Sequence, residues 1–285
     1  MAITGIVPAA FTHKLGSILG ATAYSIARKE RLIAKHQLAA ALRINEESPR
    51  VELLVKAIFK HMGISAVEIC RILLRPNMAP RVIIPDASRQ ALEKALAAQK
   101  GVIFATGHLG NWELMAMTLA AKGYPISAVA KASYDPRFTA FMDKARRRVG
   151  VDAIYRGSPG ATTKIMRAIK NNRAVGFLID QDTSVPSEFV TFFGRQASTP
   201  IGAGKLSSIT GAPVVVGNIY RTRKGYHVIE ISYLGKASDA IKSTRQITAM
   251  LEQKIKTRPS QWVWFHKRWK TRPDKQHAAA DENAA

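Results

Sequence analysis

The chain is short of cysteine, of acid and of long unbroken apolar runs. Its single cysteine, Cys70, excludes an internal disulfide framework and any multi-cysteine zinc site, and favours a reducing compartment. Asp and Glu number 20 against 43 Lys and Arg, a formal net charge of +23. A field of that sign draws polyanions: nucleic acid, an anionic membrane surface, phosphorylated lipids or acidic proteins. The apolar segment 3–27 is interrupted by His13, Lys14, Ser17 and Ser25 and shortened by Pro8. A spanning helix requires about 20 mainly apolar residues. Its basic residues Arg28, Lys29 and Arg31 follow the apolar stretch, the reverse of a secretory signal. Residues 10–42 therefore read as an amphipathic helix lying in the plane of a membrane interface, a pattern that an ordinary packed surface helix shares.

Several catalytic signatures are also missing. There is no Gly-x-Ser-x-Gly elbow, no His-Glu-x-x-His helix, no Walker loop and no Gly-x-Gly-x-x-Gly after a strand. Gly202-Ala203-Gly204-Lys205 has the wrong spacing for a phosphate loop and reads as helix packing. Cys70 sits in the apolar run Val67-Glu68-Ile69-Cys70-Arg71-Ile72 and reads as core.

What is present is a chain with 47% apolar residues, enough for a substantial core. Short apolar runs of strand type occur at 82–84, 101–106, 127–130, 152–155, 174–179, 214–220 and 227–231. Helical periodicity fills 46–75, 88–99 (capped by Asp86 or Ser88), 111–122, 136–149, 160–171, 200–210 and 238–257. Arg75-Pro76-Asn77 breaks the first of these. The alternation predicts an α/β fold with a mostly parallel central sheet flanked by helices and an N-terminal amphipathic helical region. Three segments follow: a membrane-associating region 1–45, a catalytic domain 46–275 and a disordered tail 276–285.

The sharpest local feature is Thr106-Gly107-His108-Leu109-Gly110-Asn111-Trp112-Glu113. It places a histidine between glycines, just past a buried strand and at the mouth of a helix, where open α/β sheets bind ligands. On one continuous helix, residues five apart point about 140° apart. Glu113 can therefore meet His108 only if the histidine lies in the preceding turn and folds back. Such a pair would let the carboxylate fix the imidazole tautomer while the other nitrogen removes a proton from a hydroxyl. A solvent-facing histidine with Glu113 in an unrelated ion pair fits the same spacing.

This segment resembles the His-x-x-x-x-Glu motif of the late acyltransferases of lipid A biosynthesis. Two further blocks resemble the same family. The first is Asp180-Gln181-Asp182 with Phe189-Val190-Thr191-Phe192-Phe193-Gly194-Arg195 and Ala197-Ser198-Thr199. The second is Pro259-Ser260-Gln261-Trp262-Val263-Trp264-Phe265-His266-Lys267-Arg268-Trp269-Lys270-Thr271-Arg272-Pro273. Gln37-Leu38 stands where the family has Asn-Leu. The resemblance implies transfer of an acyl group from an acyl-carrier-protein thioester to a hydroxyl of a phosphorylated glycolipid, with no metal or cofactor. His108 would be the general base and Glu113 its partner. Arg146 and Arg148 would bind substrate, Asp180, Gln181 and Asp182 would match the second motif, and the enzyme would lie on the cytoplasmic face of the inner membrane.

In that reading, backbone N–H groups near Gly110 and Asn111 supply the oxyanion site. Lys131, Arg156 and Arg195 follow strand or turn signals and could line the same mouth. Trp262, Trp264, His266, Lys267, Arg268 and Trp269 fit a membrane interface, with rings at head-group level and cations on phosphates; core packing of the rings is the alternative. Other readings are a lysophospholipid or glycolipid acyltransferase using acyl-CoA, a hydrolase using the same histidine on water, and a basic nucleic-acid-binding protein. The last requires a stacking surface of exposed aromatics.

Overall fold

The computed structural model describes residues 9–74 and 79–273. The sequence break at 75–77 and the tail 276–285 lie outside them. Three helices open the chain: α1 (Ala9–Ile26), α2 (Arg28–Leu42) and α3 (Pro49–Leu74). The single helix expected over 10–42 is thus two, divided at Ala27, whose backbone departs from helical geometry (φ −86°, ψ 63°). There follow β1 (Val82–Ile83), α4 (Asp86–Ala97), β2 (Val102–Thr106), α5 (Trp112–Ala121), β3 (Ile126–Ala130), α6 (Pro136–Arg148), β4 (Asp152–Tyr155), α7 (Ala161–Lys170) and β5 (Ala174–Leu178). The chain continues with β6 (Ser187–Phe192), β7 (Arg195–Pro200), α8 (Gly202–Thr210), β8 (Pro213–Arg221), β9 (His227–Lys236) and α9 (Ala240–Thr257).

Seven strands form one sheet in the order β1-β9-β8-β2-β5-β3-β4, parallel throughout except for the β8–β9 pair. The expected α/β layering with a mostly parallel sheet is what the chain adopts. β2 is buried along its whole length. Val102 and Phe104 join the core on one face, under α4, α5 and α6; Ile103 and Ala105 join the core on the other, under α7, α8 and α9. That two-sided burial is why β2 reads as a continuous apolar run rather than an alternating one.

A third core joins α2, α3 and the C-terminal tryptophans to an antiparallel hairpin of β6 and β7. The strand pattern had not indicated this hairpin. Its two-residue connection is Phe193-Gly194, both at positive φ, and Phe193 is an unusual residue for that position. The cap expected from Asp86 or Ser88 does not form: Pro85 occupies that position and the Ser88 hydroxyl accepts from the Ile231 N–H instead.

α1 packs tightly on α3 because three glycines meet there. A Cβ on Gly16 would stand 2.4 Å from the Ile64 Cα, and one on Gly63 would stand 2.2 Å from the Gly16 carbonyl oxygen. The opposite face of α1 leaves Phe11, Ile18, Leu19 and Ile26 exposed. Among the described residues, no helix is long and apolar enough to cross a membrane.

Candidate active site

The site follows from the register of two neighbouring strands. β2 and β5 run in parallel with Thr106 opposite Leu178. Two residues beyond each strand end stand His108 and Asp180, so the sheet itself delivers them side by side. His108 Nδ1 lies 2.8 Å from Asp180 Oδ1, and the His108 backbone N–H donates to Asp180 Oδ2 at 2.6 Å. The Trp262 indole N–H donates to that same Oδ2, also at 2.6 Å. Asp180 is buried, while the His108 side chain is partly open at 21% exposure. Its ring stands edge-on to Trp112, centroids 4.9 Å apart.

Burial works to raise the Asp180 carboxyl. The charge and ring N–H of His108, together with the indole and backbone donors, outweigh it and hold the group below the usual carboxylate range. With a proton on Nδ1 directed at Asp180, the neutral form of the ring carries its lone pair on Nε2.

The partner expected for His108 is therefore corrected. Glu113 sits in the first turn of α5, and its carboxylate grips the guanidinium of Arg146 through Nη2 (2.5 Å) and Nε (3.1 Å). His108 does lie in the turn before the helix, but Asp180 reaches its ring from the adjacent strand. Arg146, expected to bind substrate, is correspondingly corrected: it is buried, its fork is taken by Glu113, and Tyr155 and Asp143 stand beside it. Burial lowers the Arg146 pKa, and Glu113 more than reverses this. Arg148 is exposed at the end of α6, its guanidinium 3.5 Å from the Leu73 carbonyl oxygen.

The turn needs both of its glycines. A Cβ on Gly107 would stand 2.7 Å from Asp180 Oδ2, so any side chain there would push the carboxylate off the histidine. Gly110 has φ +68°, and its Cβ would lie 2.0 Å from the Ile219 carbonyl oxygen. The Gly110 N–H donates to the Gln261 carbonyl at 2.8 Å, which removes it from the expected oxyanion donors. The Asn111 side chain is committed as well. Its oxygen caps α5 at the Leu114 N–H, and its amide donates to buried Glu68 at 3.2 Å.

Glu68 anchors a second buried cluster behind the turn. Arg221 Nη2 donates to it at 2.6 Å and His227 Nε2 lies 3.1 Å away, while Arg221 Nη1 meets His61 at 2.8 Å. Nothing in the local sequence joins these residues, which come from α3, β8 and β9. Cys70, half-buried on α3, has its thiol pushed up by burial.

The C-terminal signature holds this turn in place. Leu109 and Trp262 form an antiparallel bridge, and the Val263 N–H donates to the His108 carbonyl at 3.2 Å. Asp182 accepts from the Thr271 N–H at 2.8 Å and from its hydroxyl at 3.0 Å. Gln37 clamps the same segment, donating to the Trp264 carbonyl at 2.8 Å and accepting from the Arg268 N–H at 2.6 Å.

The interface expected for this segment is corrected for most of its residues. Trp262, Trp264, Trp269 and Arg268 are all buried. Arg268 bonds Ser198 and Thr199, and burial lowers it to about 10, so it stays charged at neutral pH. His266 is half-buried and its pKa is lowered by burial. Lys267 is exposed. With the tryptophans inside, they offer no stacking surface to a nucleic acid. Gln181 is partly exposed beyond β5. Lys131 is exposed at the end of β3 with its ammonium 5.5 Å from the Tyr134 ring centre, Arg156 follows β4, and Arg195 lies over the Trp269 ring at 4.9 Å. Among the described residues, no three His, Cys, Asp or Glu side chains converge as a metal site.

The family model for bacterial lipid A biosynthesis acyltransferases matches residues 1–271. The chain belongs to that family. The chain is 25% identical over 268 residues to the lipid A biosynthesis palmitoleoyltransferase of Escherichia coli K12, covering 91% of this chain and 85% of that one. It is 23% identical over 274 residues to the lipid A biosynthesis lauroyltransferase of the same organism, covering 94% and 88%. Over 182 residues it is 25% identical to the phosphatidylinositol mannoside acyltransferase of Mycobacterium tuberculosis H37Rv, covering 62% and 57%.

Proposed function

We propose that this acyltransferase moves a fatty acyl group from an acyl-carrier-protein thioester to a hydroxyl of a phosphorylated glycolipid of the lipid A precursor type, with His108 as general base. The observation that carries the reading is the partly open imidazole whose Nδ1 is fixed by a buried, ionised carboxylate. A thioester is already activated, so the reaction needs an activated alcohol, correct approach and a stabilised oxyanion. Nε2 takes the hydroxyl proton as the alkoxide oxygen bonds to the carbonyl carbon. Collapse of the tetrahedral intermediate breaks the C–S bond, and the imidazolium returns the proton to the leaving thiolate. Asp180 holds the ring and stabilises its charge throughout.

Relatives whose names specify lipid A and phosphatidylinositol mannoside support a glycolipid acceptor. A peripheral position on the inner membrane is part of the same proposal. The exposed apolar face of α1 would enter the lipid interface, with Lys14, Arg28 and Lys29 beside anionic head groups. Mass spectrometry of lipids from cells with and without the protein tests the reaction. The expected result is one glycolipid heavier by one acyl chain when the protein is present, and unchanged lipid profiles would contradict it. Supplying the purified enzyme with acyl-carrier-protein and CoA thioesters in turn identifies the donor.

A further inference from the structure

The resemblance implied substrate binding by Arg146, yet that guanidinium is buried against Glu113. A different set of cations has no carboxylate partner among the described residues. Between α2 and the C-terminal segment lies an open pocket of about 370 Å³ lined by Arg195, Lys267, Lys270 and Arg272. Among the described residues, none of the four is paired with a carboxylate. His36, which also lines the α2 wall, lies 3.1 Å from Glu46.

The pocket is not merely basic. Trp269 and Leu32 also line it, the first buried with Arg195 over its ring and the second half-exposed. Four cations beside an apolar wall are matched to an amphiphile: an anion with a hydrocarbon arm. A dianionic phosphate ester gains charge-assisted hydrogen bonds from Arg and Lys together, which a neutral head group cannot make.

The pocket is also linked to the reaction centre. The Trp269 ring lies 5.9 Å from Phe192, Phe192 lies 5.8 Å from Trp262, and Trp262 donates to Asp180. Thr271, between two of the cations, is held by Asp182, the second acid of the Asp180 loop. A head group seated here would be held apart from the reacting hydroxyl but on the framework that positions the base.

We propose that this pocket seats the phosphate ester of the acceptor lipid, with the lipid's apolar part against Leu32 and Trp269. The inference rests on the reading of the enzyme as an acylator of phosphorylated lipid.

Equilibrium binding of dihexanoyl phosphatidic acid to the full chain, without any thioester, tests it by titration calorimetry. The expected result is at least about tenfold weaker binding by Lys267→Ala/Lys270→Ala, from the loss of charge-assisted contacts. Lys164→Ala/Lys170→Ala, which removes the same charge from α7, should stay within about twofold of wild type, as long-range charge is screened by salt. Dihexanoylglycerol and inorganic phosphate should each bind at least about tenfold more weakly than the lipid phosphate.

Equal loss in the α7 variant would reduce the effect to net charge and overturn the site. Inorganic phosphate binding as tightly as the lipid would make it a simple anion site. Unchanged lipid binding in Lys267→Ala/Lys270→Ala, with loss of binding to acyl carrier protein, would assign the pocket to that protein instead. Because no donor is present, binding reads the pocket even where turnover fails. A protein that binds the lipid yet transfers to no acceptor would count against the reaction and not the pocket.

Discussion

His108 Nδ1 lies 2.8 Å from a carboxylate oxygen of Asp180, 72 residues further along the chain. The pairing is a consequence of sheet register, since each residue stands two positions beyond a pair of facing strand ends. Asp180→Asn keeps the shape and removes the charge that stabilises the imidazolium. Turnover should fall by about 10²–10⁴-fold with little change in acceptor KM. A rise in KM at unchanged kcat would show that Asp180 acts on binding instead.

Glu113 has a different part to play. Glu113→Gln strands the buried Arg146 guanidinium, a loss on the order of 3 kcal/mol in stability for a buried pair broken on one side. Arg146→Met added to Glu113→Gln should recover most of that loss, because neither charge is then left alone. Thermal melting of both singles and the double checks this, together with turnover. A double variant that is fully stable but inactive would return Glu113 to the chemistry.

Gly107→Ala probes the turn directly. The new methyl would meet Asp180 Oδ2 at 2.7 Å and displace it from His108. Turnover should drop about 10²-fold, as for roughly an ångström of misplacement, with about 1–3 kcal/mol of lost stability from overpacking. Kinetics beside urea unfolding separate the two effects, and wild-type kcat would place the carboxylate's role elsewhere.

Trp262→Phe keeps a ring in the core and deletes one donor to Asp180. The carboxyl loses part of what holds it below the usual range, so its pKa moves up. The acid side of the pH–rate profile should then shift to higher pH, with a modest fall in kcat at neutral pH. An unmoved profile would show that the indole only fills space.

The cluster behind the turn makes stability fall in acid. Burial, then the charge of Arg221, lowers His61 to about 3 from 6.5, so its ring is neutral in the fold. Burial works to raise Glu68, but His227 and Arg221 prevail and lower it to about 2 from 4.5. Both folded values are depressed. The His61 contribution is therefore whole above pH 6.5 and shrinks toward about pH 3; that of Glu68 is whole above pH 4.5 and shrinks toward about pH 2. Each pH unit of differential protonation is worth about 1.4 kcal/mol per group, so the fall is on the order of a few kcal/mol for each of the two groups. Urea unfolding between pH 6.5 and pH 4.5 measures the first part, and a flat free energy there would contradict the cluster's assignment.

Much of this was legible in the residues. β2 reads as a buried strand because both of its faces are covered, and the glycines around His108 marked the turn. The identity of the histidine's partner was not legible. Glu113 is near in sequence, but helix periodicity turned it away, and Asp180 arrives through a strand pairing that no local pattern encodes. The tryptophans could serve a membrane interface or a core with the same sequence, and only the closeness of α2, α3 and the β6–β7 hairpin decides for the core. The division of α1 from α2 at Ala27 carries no Gly or Pro to announce it. The hairpin turn at Phe193-Gly194 likewise lacks the Asn-Gly or Asp-Gly pair that usually signals one.

The most direct test is acyl transfer by purified His108→Ala, given acyl-carrier-protein thioester and a phosphorylated lipid A precursor, beside wild type and with circular dichroism to show that it folds. If Nε2 takes the hydroxyl proton, the variant keeps its fold and loses about 10²–10⁴-fold in kcat. A folded variant turning over at the wild-type rate would contradict the account.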